Sequence, residues 1–116
     1  MAKPRSMTEV TQRRLAAIVS ADVVGYSRLM GADEEGTLAA LKAHRNAIDP
    51  VIFSHGGHII KTTGDGLLLE FPSAVQAIKA ALAAQTIMVE RNATLPQERQ
   101  MQFRWGAHVG EILAEK

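Results

Sequence analysis

The pattern of apolar and polar positions divides the chain into segments of alternating type. Leu15 to Asp22, LAAIVSAD, is a continuous apolar run of strand length, the pattern of a strand covered on both faces. GYSRLM follows and reads as a short helical turn. From Asp33 the chain turns helical, with Glu34 and Glu35 suited to the positive end of a helix dipole. Leu38, Leu41, Ile48 and Ile52 then recur at helical spacing, Pro50 predicts a kink or a break, and Gly56-Gly57 marks the stop. His58 to Thr63 and Leu67 to Phe71 are two strand-like arms that meet at Gly64-Asp65-Gly66. Ser73-Ala-Val-Gln76 is a capping box, and Ala74, Ile78, Ala81, Leu82, Gln85 and Met88 trace the expected inner face of the helix it starts. Asn92 to Gln100, with Pro96, reads as a loop. Met101 to Val109 alternates, placing Met101, Phe103, Trp105, Ala107 and Val109 on one side and Gln102, Arg104 and His108 on the other.

The resulting order is β-α-β-β-α-β, the split βαβ or ferredoxin-like arrangement of an α+β fold. In that arrangement the third strand lies between the first and second and runs antiparallel to both, because each crossover skips one strand. The end of the first strand then lies beside the start of the third. Asp22 closes the first strand and Asp65 opens the third, so two carboxylates distant in sequence are expected at one edge of the sheet. Asp65 has a second explanation, since Asp-Gly between apolar runs is a strong hairpin signal by itself.

Composition narrows the classes of function. At 116 residues the chain is one domain, with a polar tail expected over residues 1–12 and the folded part over 13–116. Thirteen Lys and Arg stand against twelve Asp and Glu, and no basic stripe carries interleaved aromatics, which argues against a nucleic-acid partner. No cysteine is present, which removes disulfide and thiolate chemistry and fits a reducing compartment. The amino-terminal stretch lacks the apolar core of a secretory signal, and no apolar run reaches the ~20 residues of a membrane helix, so a cytoplasmic location is expected. The last residues, WGAHVGEILAEK, stop inside a strand-like or strand-plus-turn segment, so a longer parent chain is expected.

Two close carboxylates repel unless one is protonated or a cation lies between them. Hard oxygen donors suit Mg²⁺ or Mn²⁺, and two carboxylates alone are a weak set that phosphate oxygens would complete. Immediately after Asp22, Val23-Val24-Gly25-Tyr26-Ser27 passes from strand to helix. Backbone N–H groups there, with a glycine permitting close approach, make a phosphate cradle plausible. A nucleoside triphosphate is the ligand class that joins these two requirements. Lys61 in a strand is ordinarily a solvated edge residue. His55-Gly-Gly-His58 has ligand-like spacing but reads more simply as a helix end, and Met88 as helix packing.

SADVVGYSRLMGADEEG and HGGHIIKTTGDGLLLEF resemble the class III nucleotidyl cyclases, most closely bacterial adenylate cyclases of the rhizobial kind. The resemblance runs from about Arg13 to the end, and the family core is ferredoxin-like. It implies that Asp22 and Asp65 are catalytic, metal-binding aspartates, with the Val23 carbonyl as a further ligand, for two Mg²⁺ or Mn²⁺ ions per site. Residues Val23, Val24, Gly25, Tyr26 and Ser27 would hold the triphosphate. Lys61 matches the base-reading lysine, and a donor there suits adenine N1 rather than guanine N1–H, which favours ATP.

The implied function is conversion of ATP to cyclic AMP and pyrophosphate by two-metal catalysis, for cyclic-nucleotide signalling. Lys61 lies several residues from the turn that carries Asp65, so one site cannot easily use both; the family's head-to-tail homodimer with composite sites answers this. Family members continue past the segment matching RWGAHVGEI, and the continuation carries a second base contact and a transition-state Asn and Arg. Glu111 stands where mammalian-type members carry a phosphate-contacting arginine. The 116-residue chain is therefore expected to be an incomplete core that turns over ATP weakly or not at all alone. The competing reading is a non-catalytic dimerisation or regulatory module with a cyclase-like fold. The intact Asp22, Asp65 and Lys61 favour the enzyme.

Overall fold

The computed structural model describes residues 11–115. In chain order these form β1 (Thr11–Val23), α1 (Tyr26–Ala32), α2 (Glu34–Ser54), β2 (His58–Thr63), β3 (Gly66–Phe71), α3 (Ala74–Asn92), a short 3₁₀ turn (Gln97–Arg99) and β4 (Phe103–Glu115). The strands make one sheet in the order β2-β3-β1-β4, with every neighbouring pair antiparallel. This is the α+β ferredoxin-like order expected from the alternation of segments. Of the tail expected over residues 1–12, residues 1–10 lie outside the described part, while Thr11 and Gln12 already belong to β1.

β1 is longer than its apolar run because β4 pairs with it along the whole length, from Thr11↔Glu115 to Val23↔Phe103. Backbone hydrogen bonding extends the strand through TQRR, where the side chains gave no strand signal. The expectation that β1 is covered on both faces is not met. Its core positions alternate, with Ala17, Val19, Ala21 and Val23 all buried, while Ser20 is exposed and Ile18 and Asp22 are half-buried. The run looks continuous because Ala16 and Ile18 sit on the side without helices, yet β1 is central, and flanking strands shelter them.

On the helix side, register aligns Val19 with Leu69 and Ala21 with Leu67 of β3, and Val23 with Phe103 of β4. These residues join Leu41, Ile48 and Ile52 of α2 and Met88 of α3 in one core. Phe71, Ile48, Ile52, Leu69, Met101 and Val19 are its largest fully buried side chains, each worth about 1.5–3 kcal/mol for the larger aliphatic and aromatic groups.

α2 begins at Asp33, whose Oδ1 accepts the Gly36 N–H at 3.0 Å, and it runs unbroken through Pro50. The predicted kink or split does not interrupt the helix. Pro50 lies on the exposed side, as does Asn46, so water can reach the carbonyl that proline leaves without a partner. The Arg45–Asp49 fork, at 2.9 and 3.2 Å, braces the same turn. The buried stripe is Thr37, Leu41, His44, Ile48 and Ile52, whereas Leu38 is exposed.

α3 differs more from its expected face. Ser73 Oγ accepts the Gln76 N–H at 3.2 Å, as the capping box requires. The helix then buries Ala77, Ala80, Ala84, Met88 and Asn92, leaving Val75, Ile78, Leu82 and Val89 exposed. Hydrophobicity alone selected the bulkier residues, but the sheet accepts the alanines, which let the helix approach closely. Asn92 closes α3 and fixes the start of the last strand: its Nδ2 donates to Met101 O at 2.9 Å, and its Oδ1 accepts from Met101 N at 3.1 Å. Among the described residues, no helix is long and apolar enough to cross a membrane.

Candidate functional site

Strand alternation sorts core from chemistry. From Ala17 to Val23 the odd positions of β1 feed the core, so Ser20 and Asp22 project from the sheet face that carries no helix. Their register partners share that face: Ser20 pairs with Leu68 of β3, and Asp22 with Arg104 of β4. Lys61 reaches the same face by an irregularity. Ile59 pairs with Leu69, but Lys61 pairs with Leu68, so Ile60 is an extra residue in β2. Without that bulge, Lys61 would fall opposite Leu67, on the core side.

Asp65 sits at the hairpin tip. Thr63 pairs with Gly66, so the two-residue loop is Gly64-Asp65, and Gly64 supplies the positive φ of +29°. The turn therefore does not use an Asp-Gly pair as its loop. Asp65 sends Oδ2 across to β1, where it accepts the Val23 N–H at 2.9 Å. The two carboxylates expected at one edge of the sheet are thus at adjacent positions of a single cleft of about 560 Å³.

That cleft is also lined by Val23, Gly25, Tyr26, Ser27 and Lys61. The strand-to-helix turn depends on Gly25, whose φ of +67° is left-handed and whose carbonyl accepts from Leu29 N at 3.0 Å. The expected phosphate cradle is narrower than residues 23–27. Val23 N–H is engaged by Asp65, and Val24 N–H donates to Gln102 O at 2.9 Å while its side chain points to solvent. Gly25, Tyr26 and Ser27, at the start of α1, are the remaining donors, because the first N–H groups of a helix have no partner within it.

Lys61 lines the same cleft as both carboxylates. His55 and His58 do not converge on anything: His55 Nδ1 lies 2.8 Å from Val51 O, and His58 faces Glu70 at 3.8 Å. Among the described residues, no group of three or more His, Cys, Asp or Glu is placed to hold a metal. A hard divalent cation would find two carboxylates here, a donor set of the right chemistry that needs further oxygens from backbone or ligand.

Arg104 is the residue that pattern reading missed. Its guanidinium forks the Asp22 carboxylate, Nε to Oδ1 at 3.1 Å and a terminal nitrogen to Oδ2 at 3.2 Å. The signal was present: in this strand order the start of the fourth strand lies beside the end of the first. The cleft thus carries two acidic and two basic side chains, Asp22 and Asp65 against Lys61 and Arg104.

No protein-family model matches the chain. Over 108 residues, 92% of its length, it is 45% identical to "Putative adenylate cyclase 3" of Rhizobium meliloti (strain 1021), of which that stretch is 18%. It is 26% identical over 113 residues, 97% of its length, to a stretch making up 12% of the serine/threonine-protein kinase pkn2 of Myxococcus xanthus. Among solved structures, an adenylate/guanylate cyclase/hydrolase from Silicibacter pomeroyi superposes with a TM-score of 0.81 at 43% identity, covering 91% of this chain and 62% of that one. The chain therefore spans a small part of these full-length relatives and under two thirds of the solved cyclase chain. Sequence and fold agree, and the chain belongs to the class III adenylate/guanylate cyclase domains.

Proposed function

We propose that this domain binds ATP with divalent cations and forms the metal-binding half of a centre that converts ATP to cyclic AMP and pyrophosphate. One observation carries the reading: Asp65 reaches 42 positions back along the chain to the turn beside Asp22, which a residue serving only its own hairpin would not do. In the reaction the ribose 3′-hydroxyl gives up its proton to solvent, its oxygen bonds to the α-phosphorus, the bond from that phosphorus to the bridging oxygen breaks, and pyrophosphate departs with the electron pair.

Asp22 and Asp65, with the Val23 carbonyl, would hold Mg²⁺ or Mn²⁺. Such ions lower the pKa of the 3′-hydroxyl and offset the charge of the triphosphate. The N–H groups of Gly25, Tyr26 and Ser27 point the start of α1 at the phosphates. Lys61 donates to adenine N1. Because the four charged side chains of the cleft already balance, a fully ionised triphosphate enters with its counter-charge, as the metal complex. ATP as substrate implies a cytoplasmic setting, and a head-to-tail homodimer is the assembly in this reading.

The test is calorimetric titration of ATP with Mn²⁺ into the chain and into Asp65→Asn. Metal-dependent binding that disappears in the variant is expected; equal binding by both, or none by either, would return Asp65 to a turn former. Composite sites are tested by mixing Asp22→Asn with Lys61→Ala protein. If sites form between copies, the mixture regains ATP binding that neither variant shows alone; no recovery would locate each complete set within one chain.

A further inference from the structure

The two carboxylates of the cleft are not equivalent. Asp65 accepts a neutral backbone N–H and, among the described residues, is in no guanidinium fork of the kind that holds Asp22. Asp22 has both oxygens engaged by the guanidinium of Arg104, at 3.1 and 3.2 Å, so its charge is already met by a cation of its own chain. This pairing follows from register rather than from chance rotamers. Asp22 is opposite Arg104 in the β1–β4 ladder, and two contacts set that ladder's start: Val24 N–H to Gln102 O, and the hold of Asn92 on Met101.

From this we infer that Arg104 competes with the divalent cation for Asp22, so that metal loading requires the guanidinium to let go. The inference rests on the reading of Asp22 and Asp65 as cation ligands and adds a residue to it. A fork on a carboxylate occupies the oxygen edges a cation would use, and a positive charge within a few ångströms of a divalent ion repels it. The competition is reversible because the pair is solvent-exposed, Arg104 at 69% and Asp22 at 42%. Exposed pairs of this kind contribute little, so the latch is weak enough to open. Once displaced, the guanidinium remains in the cleft that the phosphates would enter, where a polyphosphate gives it a new partner. Metal and polyphosphate then favour each other's binding, and a lone cation binds poorly.

The experiment is titration of Mn²⁺ alone into the wild-type chain, Arg104→Gln, Arg104→Lys and Asp65→Asn, repeated with inorganic tripolyphosphate present. Arg104→Gln is expected to bind Mn²⁺ about two- to fivefold more tightly than wild type. Arg104→Lys, which keeps charge without the fork, should fall between. Tripolyphosphate should enhance Mn²⁺ binding more in wild type than in Arg104→Gln. Equal or weaker Mn²⁺ binding by Arg104→Gln, with Asp65→Asn still impaired, would overturn the competition and leave the metal site standing. Absence of Mn²⁺ binding in all proteins, with and without tripolyphosphate, would overturn the metal reading itself. Arg104 is exposed, so the substitution should leave the fold intact, which a urea melt of each variant verifies.

Discussion

Replacing Asn92 by leucine tests how the last strand is set in place. Asn92 is 6% exposed and Met101 only 2%, so water does not readily replace their mutual hydrogen bonds. Leucine is similar in size and fills the space, but it leaves the Met101 N–H and carbonyl unpaired. A buried polar group without a partner costs about 1–3 kcal/mol, so the two together predict a loss of about 2–6 kcal/mol. A domain of this kind has about 5–15 kcal/mol in total, so the variant should be marginal. With a urea m-value of about 1–3 kcal/mol/M, the midpoint should fall by at least about 0.7 M without a change in slope. Asn92→Asp keeps the acceptor for Met101 N and loses the donor to Met101 O. Its loss should shrink in acid, where a protonated carboxyl can donate again. A midpoint change under about 0.3 M for Asn92→Leu would show that Met101 finds other partners, and the account of how β4 is fixed would be wrong.

The remaining predictions concern Asp65 and His44. Asp65→Asn retains an oxygen for the Val23 N–H, whereas Asp65→Ala does not; in urea melts Asn should stay near wild type, and Ala should lose about 1–2 kcal/mol. Equal stability of the two variants would mean that the bond does not hold the hairpin tip. His44 is buried, its Nδ1 accepts from Arg91 Nε at 2.8 Å, and burial first and the Arg91 charge second hold its pKa below the ordinary 6.5. The unfolded chain then binds the proton more readily than the native one, so stability should be fully present above about pH 6.5 and decline as the pH falls through that value. His44→Gln should flatten this decline; an unchanged slope would assign the acid sensitivity to other groups.

The strand order and the approach of Asp22 to Asp65 were legible because both follow from periodicity and connection rules that act on the whole chain. Three features were not legible, each for a separate reason. The extra residue at Ile60 leaves no mark in HIIKTT, since either arm of a bulge can be apolar, yet it alone turns Lys61 toward the cleft. The inner face of α3 was misassigned because fit to a sheet rewards small residues as well as apolar ones, and Ala77, Ala80 and Ala84 carry little hydrophobic signal beside Ile78 and Leu82. Thr37 and His44 escaped for the opposite reason. They are polar residues whose burial depends on partners elsewhere, the carbonyl of Leu29 at 2.9 Å and the guanidinium of Arg91. Arg104 needed no new rule, only the strand order applied to its own position.

The contact between Asp65 and Val23 gives this domain a reporter made of one backbone proton. β1 is bonded on both sides along Ala17 to Ala21, so its amides should exchange with solvent deuterium only through opening of the sheet. The Val23 amide ends on a side chain at the tip of a two-residue hairpin, and its exchange follows the docking of that tip. A slow signal at Val23 beside the slow signals of the sheet would mean that the hairpin opens with the core. A fast one would mean that the cleft breathes on its own, and its slowing on addition of a cation would time the closing of the site without any assay of turnover.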